Sequence, residues 1–177
     1  MEELIAKRYL KAMKQHASVQ EIENVALIFS VLAKAFDDKK FNQIMNNPDV
    51  SKNQKSEILL AAVKSTGYKN VENLIKLLAQ NNRISIIPAL AEVMRKDIAQ
   101  TKKIYGGVVY GNSTIDSKVM EALGDGLGSR FDSKISLEFV KDDFNGIKVD
   151  VEDLGVEISF SKARINNQMI EHIIKAI

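Results

Sequence analysis

The chain has 177 residues and a net charge of +2, and it contains no cysteine. A hydrophobic fraction of 45% beside a charged fraction of 27% is typical of a globular protein and argues against an intrinsically disordered one. The absence of cysteine excludes disulfide scaffolds, thiolate zinc sites and cysteine nucleophiles.

Six helices are predicted in residues 1–103, because apolar side chains recur there every three or four positions. The first helix is amphipathic, with apolar residues on one face and basic residues on the other. Ser18 with Glu21 forms a capping-box pattern at the start of the second helix, and Ser51 with Gln54 forms another at the start of the fourth.

The fifth and sixth predicted helices lie within residues 71–103 and are separated by a polar break at 80–83. Ser85 is the predicted N-cap of the sixth helix. Pro88 falls in the first turn of that helix, where its missing N–H leaves no hydrogen bond unmade. The stretch is therefore predicted to form a helix, a polar corner and a second helix.

From Ile104 the pattern changes to one that favours strands. Residues 104–110 are rich in β-branched and aromatic side chains, and Gly106 and Gly107 would allow a bulge there. A helix is predicted over 118–131, although its three glycines each weaken it by about 1 kcal/mol relative to alanine. A half-buried strand is predicted over 135–139, where apolar and polar residues alternate.

A hairpin is predicted around residues 152–153, because apolar and polar residues alternate on both sides of them. A two-residue loop would place Val149 opposite Val156. A four-residue loop that ends at Gly155 keeps the apolar residues on the same face of the sheet. The sequence leaves both loops open.

The predicted fold class is mostly α plus α+β, with a six-helix bundle followed by a small C-terminal α+β domain. A last helix is predicted from Ala163 to the chain end. The charge changes sign where the pattern changes, from a balance of +6 in residues 1–103 to −4 in residues 104–177. This coincidence predicts two domains with different partners.

No catalytic, cofactor or metal site is predicted. Gly124, Gly126 and Gly128 lack the G-x-G-x-x-G spacing of a phosphate loop, so a flexible helix is the favoured interpretation. His16 and His172 are the only histidines, and neither lies in a carboxylate pattern that indicates a metal site.

Two observations bear on the class of partner. The 17 Lys/Arg against 11 Asp/Glu in residues 1–103 leave open an alternative function as a helical RNA-binding or antitermination-like module. The lysines are spread over all the helices, however, which favours an ordinary solvated face.

No apolar run approaches the roughly 20 residues that cross a bilayer, and the start MEELIAKRY lacks the layout of a secretion signal, so a cytoplasmic location is expected.

Two segments resemble a known family. Residues 73–88 read NLIKLLAQNNRISIIP and resemble the signature NLIKLLAENGRLSLLP of the delta subunit of bacterial F-type ATP synthases, the family of the oligomycin-sensitivity-conferring protein. Residues 6–13 read AKRYLKAM and are similar to the family's opening, ARRYAKALF. The separation of the two segments and the total length agree as well, so the resemblance covers essentially the whole chain.

The resemblance implies a non-catalytic stator subunit that links the catalytic head to the peripheral stalk during proton-driven ATP synthesis. It would lie at the cytoplasmic face of the cell membrane, with membrane contact only through the complex and no direct contact with nucleic acid.

The resemblance also implies the partners. Residues 1–103 would bind the N-terminal helix of an alpha subunit of the catalytic head in a groove between the first and fifth helices, and residues 104–177 would meet the b subunits of the stalk. The groove residues that it carries over are Ala6, Tyr9, Leu10, Met13, Leu74, Leu77, Leu78 and Asn81. In the second domain the glycine before a strand and the pair Lys162 and Arg164 match the family, whereas the family's Asp-Gly-Ser turn is absent.

Overall fold

The computed structural model describes residues 2–161, in which six α-helices are followed by a four-stranded sheet with one further helix. The helices of the first part are α1 Glu2–Lys14, α2 Val19–Ala35, α3 Lys39–Asn46, α4 Lys52–Val63, α5 Lys69–Gln80 and α6 Ile87–Lys102. The six predicted helices are confirmed. The helix predicted from Ala163 onward lies outside the described residues.

Both predicted capping boxes are present. Ser18 N–H donates to Glu21 Oε2 at 2.8 Å, and Glu21 N–H donates back to Ser18 Oγ at 3.3 Å. Ser51 and Gln54 make the same reciprocal pair at 3.0 and 3.3 Å. Each box satisfies backbone donors that the first turn of a helix leaves unpaired, and so it places the starts of α2 and α4.

The corner between α5 and α6 differs from the prediction in one respect. Ser85 is not an N-cap, because it lies in the 3-10 turn Ile84–Ile86 that runs directly into α6. Ile84 and Ile86 are both buried, and their packing holds Ser85 between them in a helical turn. Pro88 lies in the first turn of α6, as predicted.

The bundle has its own apolar core. Its fully buried side chains of largest volume are Phe29, Leu59, Ile75, Leu78, Ile87, Leu90 and Met94. They come from the four helices α2, α4, α5 and α6, at the positions of three- and four-residue spacing that predicted the helices. On the surface, Lys14 of α1 donates to the carboxylate of Asp97 in α6 at 2.8 Å.

The second part of the chain is a four-stranded sheet with strand order β2-β1-β3-β4. Its elements are β1 Ile104–Gly111, α7 Ser117–Phe131, β2 Lys134–Lys141, β3 Gly146–Val151 and β4 Val156–Ser161. Strands β1 and β2 are parallel and are joined by α7, whereas β1 pairs with β3 and β3 with β4 antiparallel. The predicted order of strands and helix is confirmed as far as Ser161.

Strand β1 contains no bulge, because it pairs residue for residue with β2 from Ile104 to Gly111. Position 107 requires glycine for a different reason. A Cβ there would lie 2.8 Å from side-chain carbons of both Leu137 and Val151, so the absence of a side chain lets the neighbouring strands fill the face above it.

The hairpin has the longer of the two loops considered. Val151 pairs with Val156 and Val149 with Ile158, which leaves residues 152–155 in the loop. Gly155 ends that loop with φ of 64°, a left-handed conformation that glycine adopts without steric cost. The two-residue loop, with Val149 opposite Val156, is therefore wrong.

The described chain divides between Ile98 and Ala99 into two compact units. The division falls inside α6, a few residues before the predicted boundary after Lys103. Ala99 packs against the core of the second unit, around Tyr105, Val109 and Val149. The final turn of α6 thus belongs with the sheet that follows it.

Candidate functional site

A groove of about 310 Å³ opens between α1 and α5 on the first unit. Its lining consists of Tyr9, Ala12, Met13, His16 and Ala17 from α1 and the turn after it, Glu21 and Val25 from α2, and Asn70, Asn73, Leu74 and Leu77 from α5. Most of the lining is apolar, and its members with charged or strongly polar side chains are His16, Glu21, Asn70 and Asn73.

The helical repeat explains why these residues meet. On α1, Tyr9 and Met13 are four residues apart and therefore lie on one face of the helix. On α5, Asn73 and Leu77 are spaced in the same way. The small side chains of Ala12 on α1 and Ala17 in the turn after α1 leave room beside α5, so the groove is a product of side-chain size as well as of periodicity.

The two helices that form the walls run in opposite directions. Tyr9 lies beside the C-terminal end of α5, where Asn81 Nδ2 donates to its hydroxyl oxygen at 3.4 Å. From there one wall of the groove follows α1 and the turn after it to Ala17, and the other follows α5 towards its N-terminal end at Asn70. One end is therefore marked by Tyr9 and the other by the first turn of α2.

A guanidinium lies at the Tyr9 end. Arg83 Cζ is 5.9 Å from the centroid of the Tyr9 ring, which is within the range of a cation–π contact. The backbone N–H of Arg83 donates to Leu78 O at 2.8 Å and holds the corner against α5. The aromatic wall of the groove is thus backed by a positive charge.

A carboxylate lies at the opposite end. Glu21 Oε2 accepts hydrogen bonds from the backbone N–H of Ser18 and from its hydroxyl, at 2.8 and 2.9 Å. Both bonds lower the pKa of Glu21 below its usual value, and the bond from the backbone N–H has the larger effect. Glu21 is therefore ionised at neutral pH and places a negative charge at this end.

Four of the eight predicted partner-binding residues line the groove, and these are Tyr9, Met13, Leu74 and Leu77. Leu77 is 45% exposed, whereas Leu74 is only 6% exposed and forms part of the floor. Asn81 lies at the Tyr9 end and is exposed.

Ala6, Leu10 and Leu78 lie beneath the groove in the core of the bundle. Their exposed fractions are 0%, 4% and 0%. Each sits on the face of its helix that packs against the rest of the bundle, so each supports the walls without presenting surface to a partner.

The prediction missed the polar and small members of the lining. Asn70 and Asn73 lie at helical spacing from Leu77, so the repeat of α5 could have indicated them. Glu21 and Val25 come from α2, and nothing in the repeat of α1 or α5 indicates that α2 reaches the groove.

Two other depressions are more polar. One of about 430 Å³ lies beside the start of α4, where Lys52 Nζ donates to Gln80 O at 3.2 Å. Another of about 660 Å³ lies beside α7, lined by Lys103, Asp132 and their neighbours. Neither has the continuous apolar lining that an amphipathic helix requires.

Comparison with known proteins places the chain in a family. The family model of the ATP synthase delta (OSCP) subunit matches residues 5–169. The chain belongs to the ATP synthase delta (OSCP) family. As a member of that family it is a structural subunit of an ATP synthase and not a catalytic one.

Relatives from two bacteria match this chain over its whole length. The ATP synthase subunit delta of Sulfurimonas denitrificans is 77% identical over 177 residues, which is 100% of both chains. That of Campylobacter curvus is 38% identical, again over 100% of both chains.

A solved structure shares the fold of the delta subunit. A chain in the cryo-EM structure of the Toxoplasma gondii mitochondrial ATP synthase hexamer matches with a TM-score of 0.63. The match covers 98% of this chain and 97% of that chain at 16% identity, so it shows the fold alone. Within residues 2–161, none of the helices combines the length and apolar character that crossing a membrane requires.

Proposed function

We propose that this delta subunit is a stator component that ties the catalytic head of the ATP synthase to its peripheral stalk. In this proposal the groove between α1 and α5 holds the N-terminal helix of an alpha subunit. The observation that carries the proposal is a mostly apolar groove between the two helices that the family resemblance implies, with Leu77 45% exposed in its lining.

The dimensions of the groove support a helix as its occupant. Along α5 the lining runs from Asn70 to Leu77, which at 1.5 Å per residue is about 10 Å, or two helical turns. An amphipathic helix that presents anchors at i, i+3 or i+4, and i+7 covers the same length. The groove therefore suits three successive apolar anchors.

An apolar contact also suits the mechanical role. A stator has to remain attached while the rotor exerts torque, so its contacts need to dissociate slowly. Buried apolar anchors act mainly on the dissociation rate, whereas contacts between exposed charges act mainly on the association rate. A groove centred on Met13, Leu74 and Leu77 fits the first requirement.

The second unit, from Ala99 onward, is the proposed site of attachment to the b subunits of the stalk. Its negative charge balance distinguishes it from the basic bundle, which supports a separate partner for each unit. With the first unit on the head and the second on the stalk, the subunit would lie at the cytoplasmic face of the membrane and contact the membrane only through the complex.

Binding of the alpha-subunit N-terminal peptide to full-length delta subunit tests the groove. Leu77→Asp places a charge among the apolar anchors, and we expect it to weaken binding at least tenfold with little change in the melting temperature. Titration calorimetry and thermal unfolding give the two quantities.

Leu27→Asp is the matched control, since Leu27 of α2 is 68% exposed and lies outside the groove lining. We expect Leu27→Asp to leave the affinity unchanged. Equal affinity of wild type and Leu77→Asp would overturn the proposed contact. A steep loss of wild-type affinity between 50 and 200 mM salt would show that contacts between exposed charges, and not the apolar anchors, carry the binding.

A further inference from the structure

The groove has unlike charges at its two ends. At one end the Arg83 guanidinium lies over the Tyr9 ring, and the structure of residues 2–161 gives it no carboxylate partner. Its N–H donors are therefore available to a ligand. At the other end the Glu21 carboxylate, held by Ser18, faces the groove from the first turn of α2.

The helices that form the walls do not themselves favour one direction for a bound helix. Because α1 and α5 are antiparallel, a helix between them lies parallel to one wall and antiparallel to the other. The favourable interaction with one helix dipole is offset by the unfavourable interaction with the other. Point charges at the ends then decide the direction.

We propose that Arg83 and Glu21 orient the partner helix, with its C-terminal end at Arg83 and its N-terminal end at Glu21. This inference rests on the proposed function and adds the direction of binding and the chemistry at each end. The last carbonyl groups of a helix, or an acidic side chain in its last turn, carry the negative charge that a guanidinium binds. The unpaired N–H groups of the first turn carry the positive charge that suits Glu21.

Exposed lysines on α5 provide a control for a general electrostatic effect. Lys69 and Lys76 are exposed and, like Arg83, are not themselves lining residues, but unlike Arg83 neither has a contact with the Tyr9 ring. They contribute to the field around the bundle, but they are not placed over the aromatic wall as Arg83 is. Substituting Lys76 removes one positive charge from α5, a wall of the groove, and leaves Arg83 in place at the groove end.

Two designed peptides measure the preference directly. Both are 20-residue helices with the same apolar face, and one carries two glutamates in its last turn while the other carries them in its first turn. At low salt and pH 8, we expect the wild-type protein to bind the C-terminally acidic peptide about three- to fivefold more tightly than the N-terminally acidic one. A difference of this size in affinity is what a partly exposed pair of opposite charges contributes.

Arg83→Met should reduce that preference below about twofold, Arg83→Lys should retain part of it, and Lys76→Met should leave it unchanged. Equal binding of both peptides to the wild type would overturn the inference. So would an equal effect of Lys76→Met and Arg83→Met. If neither peptide binds, or if Leu77→Asp binds both normally, the groove proposal fails instead.

The direction can also be observed without reference to affinity. The chain contains no cysteine, so Lys69→Cys accepts a single nitroxide label near the Glu21 end of the groove. The label should broaden the NMR signals of the N-terminal residues of an isotope-labelled bound peptide more than those of its C-terminal residues. Stronger broadening at the C-terminal residues would show the opposite orientation.

Discussion

At the scale of single residues, two adjacent leucines of α5 have opposite roles. Leu77 is 45% exposed at the edge of the groove, whereas Leu78 is fully buried in the bundle core. The difference follows from the helical repeat, which turns successive side chains by about 100° and so directs neighbours to different surroundings. A groove-lining residue and a core residue of the same type can therefore differ by one position.

Glu21 serves the fold as well as the groove, and this gives a prediction on pH. Its folded pKa lies below the reference value of 4.5 because Ser18 donates to its carboxylate. The contribution that the ionised Glu21 carboxylate makes to the free energy of unfolding is therefore present at neutral pH, and it is lost as the pH falls through the folded pKa. As the pH is lowered from about 5 to about 3, we expect the free energy of unfolding to fall less steeply in Glu21→Gln than in the wild type. Urea unfolding at each pH measures it.

Glu57→Gln provides the comparison for that titration, because Glu57 is an exposed glutamate of α4 outside both capping boxes. Its profile should run parallel to that of the wild type. If Glu21→Gln shows the wild-type slope over the same interval, the carboxylate does not contribute to stability through its cap.

At the scale of elements, the glycines of α7 have unequal roles. A Cβ on Gly124 would lie 2.7 Å from Ile135 O, and one on Gly128 would lie 2.5 Å from Ser133 O. Gly126 has nothing within 4 Å of that position. Two of the three glycines thus let α7 lie close to the backbone around the start of β2, and the third only weakens the helix.

Alanine substitutions separate these roles. Gly126→Ala should stabilise the second unit by about 0.5–1 kcal/mol, because alanine restricts the unfolded chain and favours a helix. Gly128→Ala should destabilise it by about 1–3 kcal/mol, because the new methyl group forces the helix away from the strand. Urea unfolding measures both changes, and a stabilising Gly128→Ala would contradict the close packing.

At the scale of the whole molecule, residues 2–161 contain two apolar cores. One belongs to the helical bundle up to Ile98, and the other lies between the sheet and α7. A unit with its own core can in principle fold alone. The charge balances of residues 1–103 and 104–177, +6 and −4, further suggest separate partners.

A fragment of residues 1–103, which retains the whole of α6, tests this division. We expect it to unfold cooperatively and to bind the alpha-subunit peptide with the affinity of the full chain. It should fail to couple the catalytic head to the membrane sector in reconstituted ATP synthase. An unfolded fragment would contradict independent folding, and full coupling would contradict the stalk-binding role of the second unit.

The sequence by itself determined the features that depend on neighbours within a turn or two. The six helices of the bundle, the boxes at Ser18 and Ser51 and the strand–helix–strand order after Ile104 all rest on local spacing and local hydrogen bonds. The family resemblance likewise rests on contiguous residues, and it implied a groove between the first and fifth helices, where the structure has a groove of about 310 Å³.

Tertiary structure decided the features that depend on what lies opposite. Burial of Ile84 and Ile86 replaced a cap at Ser85 by a continuous turn. Strand pairing selected the four-residue loop at 152–155. The contribution of α2 to the groove and the exposure of Leu77 beside buried Leu78 likewise depend on how whole helices pack. Periodicity gives the face on which a side chain lies, but only the packed neighbours decide whether that face is covered.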